Sequence, residues 1–216
     1  MPVAAQPRRR RRDAQRSRRV ILDAAEALFA QRGYDAASMG AIASRARVSS
    51  ALPAYFFADK EGLYRAVLER CFAEREERLE PLADEVVAAL GREGGLAGAL
   101  RHLIDGYLGF LADRPDFVRL IGWEALHGAR RLRATPRHSA AVERALRAAL
   151  AVGSSAPSPR RDPDQLLISL VAMCFFPLEH ADTMLSAMGI DAGDATFVQA
   201  RKEHIIDALM RIIDAG

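Results

Sequence analysis

A proline inside VSSALPAYFFADKEGLY, residues 48–64, constrains this chain more than any other single residue. Pro53 has no N–H, and its ring clashes with the carbonyl four residues back, so a helix tolerates it only in the first turn. Ser49 and Ser50 stand just ahead with capping side chains. With Ser50 as the cap, Pro53 takes the third helical position, where the missing donor is one of the first turn's orphans. The spacing predicts a short helix over about 50–57, with Asp59 capping a further helix that starts at Lys60. Two turns do not hold together alone. Leu52, Phe56 and Phe57 therefore read as the anchors that clamp this helix to its neighbours.

Helical spacing surrounds the segment. Ile21, Ala24, Ala25, Leu28 and Phe29 fall on one face, and Gly33 closes that helix with Arg32 in its last turn. Ser38 caps a short second helix striped by Met39, Ile42, Ala43 and Ala46. Downstream, 61–80 reads as a long helix ended by Pro81, 96–111 is periodically apolar, Phe117, Leu120 and Ile121 begin another helix, and Val142, Leu146, Ala149 and Leu150 mark one more. Residues 152–164, VGSSAPSPRRDPD, read as an exposed loop. Leu167, Leu170, Val171, Cys174, Phe175 and Leu178 form an apolar helix that Pro177 should kink, and Ile206, Leu209, Met210 and Ile213 close the chain. No segment reads as a strand or a repeat. The fold class is all-α, and with half of 216 residues apolar the chain can bury a sizeable core.

Charge is unevenly placed. The chain carries +3 in total, yet Arg8, Arg9, Arg10, Arg11, Arg12, Arg16, Arg18 and Arg19 stand against Asp13 alone in the first twenty residues. A polyanion contacted at that end is the implied partner. Cys71 and Cys174 lie among apolar residues at helical spacing, as small core hydrophobes in a reducing compartment do. The arginine run is followed by an amphipathic segment with no secretory apolar block, and the longest apolar run, near 166–178, is too short to span a bilayer. The expectation is a cytoplasmic protein with no membrane partner.

Three short helices within about forty-five residues, the last two joined by a tight turn, form the helix-turn-helix arrangement, whose last helix enters the major groove. Ser49, Ser50 and Ala51 offer the small outer face this requires. The stretch SMGAIASRARVSSALPAYFFADKEGLYRAV, residues 38–67, preceded by ILDAAEALFAQRGYDA, resembles the DNA-binding signature of the TetR family of bacterial transcriptional repressors. It departs from that signature at Arg47, where glycine is usual at the turn, and at Ala54, where tyrosine is usual, with Tyr55 one residue on. The resemblance implies that Ser38 and Ser49 cap helices and bond phosphates, and that Lys60 meets the DNA backbone. Ser50, Ala51, Leu52 and Tyr55 would face base edges or nearby sugar and phosphate, with Arg47 at the turn beside them. Arg18 and Arg19, at the start of the first helix, suit defined phosphate contacts. Ahead of them, residues 1–15 read as a disordered basic arm, either a solvated tail adding nonspecific affinity or a minor-groove probe.

These readings divide the chain into the arm, a DNA-binding domain over 16–62 and a helical effector-binding and dimerisation domain over 63–216. The resemblance implies a homodimer built through the last two helices, about 164–188 and 196–214, a palindromic operator in double-stranded DNA, and release by a small-molecule effector. In FVRLIGWEALHG, residues 117–128, Glu124 lies on an apolar stripe flanked by Trp123 and His127. A carboxylate there either pairs structurally, sits on a rotated exposed face, or serves an effector pocket walled by Tyr107, Phe110, Trp123 and Phe176, with His127 and His180 as further polar contacts. The Glu124-x-x-His127 spacing also matches half of a two-metal carboxylate bundle, but no second pair accompanies it, so a metalloenzyme stands only as an alternative, as does a protein that coats DNA without specificity. No cofactor, nucleophile motif or phosphate-binding glycine loop is indicated.

Overall fold

The computed structural model describes residues 7–91, 95–132, 140–153 and 162–214. Among them the regular structure is helical: α1 Pro7–Ala36, α2 Met39–Ala46, α3 Leu52–Phe57, α4 Lys60–Ala89, α5 Gly95–Asp113, α6 Pro115–Leu126, α7 Ala140–Gly153, α8 Pro163–Glu179 and α9 Ala195–Asp214, with a π-helical turn Ala181–Leu185 after α8. No described helix is long and apolar enough to cross a membrane.

The chain divides into two compact units. One takes Met1–Cys71 with Arg119–Thr135, the other Phe72–Val118 with Pro136–Gly216. The division falls inside α4 and not at the expected 62/63 boundary, because the last turns of α6 return to the first unit. There the Trp123 indole N–H donates to the Ala30 carbonyl at 3.1 Å, a contact across ninety-three positions that no local pattern announces.

In the first unit, α1, α2 and the start of α4 bury Ile21, Leu28, Phe29, Ile42, Leu63, Val67 and Leu68 together. The helix of α1 already includes residues 7–15, which corrects the expectation of a disordered arm there; residues 1–6 lie outside the described set. Adding turns to a nucleated helix is far easier than starting one, and arginine is among the better helix formers. At the other end α1 breaks at Gly33, whose φ of 74° and ψ of 172° only glycine adopts without strain. A side chain there would also meet the Trp123 ring at 3.2 Å.

The second unit packs α5 against α7, α8 and α9. Phe117 of α6 is its aromatic hub, with ring centroids 5.7 Å from Phe72, 5.4 Å from Phe110 and 6.2 Å from Phe175. Arg144 of α7 reaches Glu80 at 2.9 Å and Asp84 at 2.8 Å on α4, and Lys202 of α9 reaches Asp105 of α5 at 2.9 Å. Cys71 and Cys174 are both buried free thiols, and burial pushes the Cys174 thiol up to about 12, which leaves it unreactive.

Two prolines act differently from the sequence expectation. Pro81 does not end its helix; α4 runs on to Ala89. An interior proline costs about 3 kcal/mol, whereas continuing the helix keeps Ala83 and Val86 buried on the same face as Leu79, and full burial of a Val alone is worth about 1.5–3 kcal/mol. Pro177 stands in the last turn of α8, where the helix stops two residues later and passes into the π-helical turn. Proline cannot donate to the carbonyl four residues back, that of Met173. Arg201 of α9 takes the donor's place, with Nε at 3.2 Å and Nη2 at 2.9 Å from that oxygen. Most of the expected 152–164 loop lies outside the described residues.

Candidate nucleic-acid interface

Short helices need defined ends, and each end of this motif has one. Ser38 caps α2 by accepting from the Ala41 amide at 3.2 Å. The turn after α2 closes with the Val48 amide on the Ala43 carbonyl at 3.0 Å and the Arg47 amide on Ser44 at 3.1 Å. That is the helix-ending pattern that usually employs glycine at its left-handed residue. Arg47 occupies this position with φ 54° and ψ 45°, so the chain keeps the left-handed turn and holds a non-glycine residue in a conformation costing about 1–2 kcal/mol.

The third helix starts at Leu52, with Ala51 at its cap and Pro53 in the first turn. The expected Ser50 cap is therefore corrected by one residue: neither Ser49 nor Ser50 caps α3 through its side chain, and the first bond is the Leu52 amide on the Ser49 carbonyl at 3.1 Å. The alternation of burial is what matters for function. Pro53 and Phe57 are buried, while Ser49, Ser50, Ala51, Ala54 and Tyr55 are exposed and Leu52 is partly so. Tyr55, at 80% exposure, is a large ring left in solvent, with Phe56 against it edge-on at 5.1 Å. Phe57 takes the Arg18 guanidinium over its ring at 5.1 Å, which holds the end of α3 against α1 three turns into that helix.

Ala58 then makes a tight γ-turn. Its φ of 66° and ψ of −60° bring the Asp59 amide to the Phe57 carbonyl at 2.8 Å, a strained geometry for a residue with a side chain. Asp59 caps α4 as expected, its carboxylate accepting from the Gly62 amide at 2.7 Å. Gly62 has no room for a side chain, since a Cβ would lie 2.2 Å from the Phe57 carbonyl oxygen. Lys60 follows with its ammonium 3.1 Å from the Asp35 carbonyl and 4.4 Å from the centre of the Tyr34 ring. Arg19 is exposed and stands 3.9 Å from Asp23.

The proposed effector residues separate between the units. Trp123, Glu124 and His127 belong to the first, Tyr107, Phe110, Phe176 and His180 to the second. Glu124, only 2% exposed, accepts from the Tyr64 hydroxyl at 2.8 Å and from the Arg131 amide at 3.3 Å. Burial, and then the bond to Glu124, push the Tyr64 hydroxyl well above the ordinary phenol value. His127 is exposed and contacts the Trp123 carbonyl at 2.7 Å through Nδ1, so Glu124 and His127 do not converge on a shared centre. In the second unit Tyr107 and Phe110 are buried, and Phe176, exposed, has its ring 4.3 Å from that of His180. Burial raises the Tyr107 hydroxyl above its usual range.

Sequence reasoning did not find Tyr34, Tyr64 or Arg131. The Arg131 guanidinium lies 3.7 Å from the centre of the Tyr34 ring, and the Tyr64 ring meets Tyr34 edge-on at 5.1 Å. The available signals were weak: an aromatic directly after a helix-ending glycine, and another one helical turn after Lys60.

Comparison with known proteins agrees with this geometry. The profile described as "Bacterial regulatory proteins, tetR family" matches residues 21–67, and "Tetracyclin repressor-like, C-terminal domain" matches 97–209. The HTH-type transcriptional repressor NicS of Pseudomonas putida is 26% identical over 198 residues, covering 86% of each protein. In fold, the chain resembles a crystal structure of a HlyIIR mutant with TM-score 0.65 and 20% identity, over 90% of this chain and 96% of that one. A TetR-family regulator structure from Mesorhizobium loti superposes with TM-score 0.62 and 21% identity, over 94% and 97%. With both profiles matched in order around an exposed helix-turn-helix, the chain belongs to the TetR family of DNA-binding transcriptional regulators and is not an enzyme.

Proposed function

We propose that the protein is a cytoplasmic repressor that binds a palindromic operator as a homodimer and leaves it when a small molecule binds the second unit. The observation that carries the DNA reading is the outward face of α3 and of the turn that leads into it, where Ser49, Ser50 and Ala51 in the turn and Tyr55 in the helix are exposed over a buried Pro53 and Phe57. Small side chains read bases by apolar and water-mediated contact more than by bidentate bonds, so operator preference rests partly on DNA shape. Ser38, Arg18, Arg19, Arg47 and Lys60 are assigned to phosphates, and Leu52 to the edge of the groove.

The dimer is assigned to 164–188 and 196–214; exposed Ile168, Phe176, Met184 and Met188, all in the first of these segments, are apolar side chains that a partner would cover. The effector is assigned to the second unit, with Tyr107, Phe110, Phe176 and His180 as its lining; Trp123, Glu124 and His127 belong to the first unit, where they are bonded to Ala30, Tyr64 and the Trp123 carbonyl, and are left out of that assignment. Effector binding acts by favouring a dimer whose two α3 helices no longer fit successive grooves. The test is selection of bound sites from random duplexes, followed by footprinting across salt. Protection of one palindrome at moderate salt is the expected result, and coverage with no preferred site would overturn it.

A further inference from the structure

We propose that Tyr34 is a positioning residue for DNA binding: its ring and the neighbouring Asp35 carbonyl seat the Lys60 ammonium ready for a phosphate. The inference rests on the reading of Lys60 as a backbone contact.

An ammonium has three donors. One goes to the Asp35 carbonyl at 3.1 Å and the charge lies 4.4 Å from the Tyr34 ring centre, so both partners are electrically neutral and the positive charge stays available to an anion. Arg201, on the Met173 carbonyl, and Arg18, over the Phe57 ring, have neutral partners too, but several other cations are held differently. Arg70 is paired with Asp23 and Glu26, Arg101 with Glu203, and Arg144 with Glu80 and Asp84, arrangements in which carboxylates neutralise the charge.

The seat is also rigid. Gly33 breaks α1 and turns the chain so that Tyr34 and Asp35 follow directly. The Tyr34 ring is stacked on Phe29 with centroids 6.0 Å apart, met edge-on by Tyr64 at 5.1 Å, and covered by the Arg131 guanidinium at 3.7 Å. Tyr64 is in turn held by Glu124 at 2.8 Å. A lysine carries more rotamer freedom than most side chains, and fixing it before DNA arrives removes that loss from the binding step.

The experiment is a double-mutant cycle on the full chain, read as affinity for a fluorescent 30-base-pair duplex of mixed sequence over a range of salt. Lys60→Ala should weaken binding about fivefold to tenfold and reduce the salt slope by about 0.9 for each chain bound. Tyr34→Leu should weaken binding severalfold in the unaltered protein and less than twofold when Lys60 is already alanine, while Tyr34→Phe keeps full affinity. A ring-fluorinated phenylalanine introduced at position 34 preserves shape but depletes the π face, so it should weaken binding even if the leucine variant does not fold. Equal losses from Tyr34→Leu in both backgrounds, or unchanged affinity with the fluorinated ring, overturn the proposal. If the unaltered protein binds no duplex, the DNA-contact reading falls with it; if it binds and the cycle is additive, only the role of Tyr34 falls.

Discussion

The Tyr64 hydroxyl donates to the Glu124 carboxylate at 2.8 Å in a buried bond that joins residues sixty positions apart. The same carboxylate accepts from the Arg131 amide, so one acid ties α6 and the turn after it to the start of α4 within the first unit. Replacing Glu124 by alanine strands a buried hydroxyl and an amide, each costing about 1–3 kcal/mol. Glu124→Ala should therefore destabilise the protein by about 2 kcal/mol or more in urea unfolding. Glu124→Gln, which keeps an acceptor, should lose less.

Arg47 holds a left-handed conformation that glycine adopts without strain. Arg47→Gly should raise stability by about 1 kcal/mol, measured as a higher urea midpoint at unchanged slope. The same variant should bind DNA more weakly and with a smaller salt slope, since the guanidinium assigned to phosphate is gone. A variant that loses stability would show that the side chain contributes more through contacts than the turn loses through strain.

Gly62 lies where a Cβ would approach a backbone oxygen of Phe57 to 2.2 Å. Backbone cannot yield as a flexible side chain does, so Gly62→Ala must push the end of α3 away from the start of α4, with overpacking that costs about 1–3 kcal/mol. Loss of DNA binding larger than the loss of stability is expected. Melting curves and duplex titrations on the same preparation separate the two.

Arg201 satisfies the Met173 carbonyl that Pro177 leaves without its helical donor. Arg201→Met keeps most of the apolar stem and removes both donors, at about 2 kcal/mol. Combining it with Pro177→Ala, which restores the helical N–H, should recover a large part of that loss. Urea unfolding of the four proteins tests the coupling.

Glu203 of α9 is bound by Arg101 of α5, and that hydrogen bond holds its carboxyl below the ordinary glutamate value. A lowered value in the folded state means that the stabilisation is present above the unfolded value and is lost as pH falls through the folded one. Glu203→Gln should thus melt lower than the unaltered protein near neutral pH, and the difference should vanish on acidification below the usual carboxylate range. Because the pair is exposed, the effect should also shrink in high salt.

Local physics made much of this protein legible in its amino acids. Apolar residues three and four apart located the helices, Ser38 and Asp59 marked caps that are present, and Pro53 restricted where α3 could begin to within one residue. These features depend on neighbours within about one helical turn, so the chain itself specifies them. Interactions between distant segments decided the rest. Pro81 remains inside a helix because its flanking residues are buried, residues 119–132 join the first unit through Trp123 and Glu124, and the Met173 carbonyl is met from α9. Lys60 likewise gains its carbonyl and ring from residues about twenty-five positions earlier. Which donor reaches which acceptor across such separations is set by how helices pack, and packing is a property of the assembled core that no single stretch of residues contains.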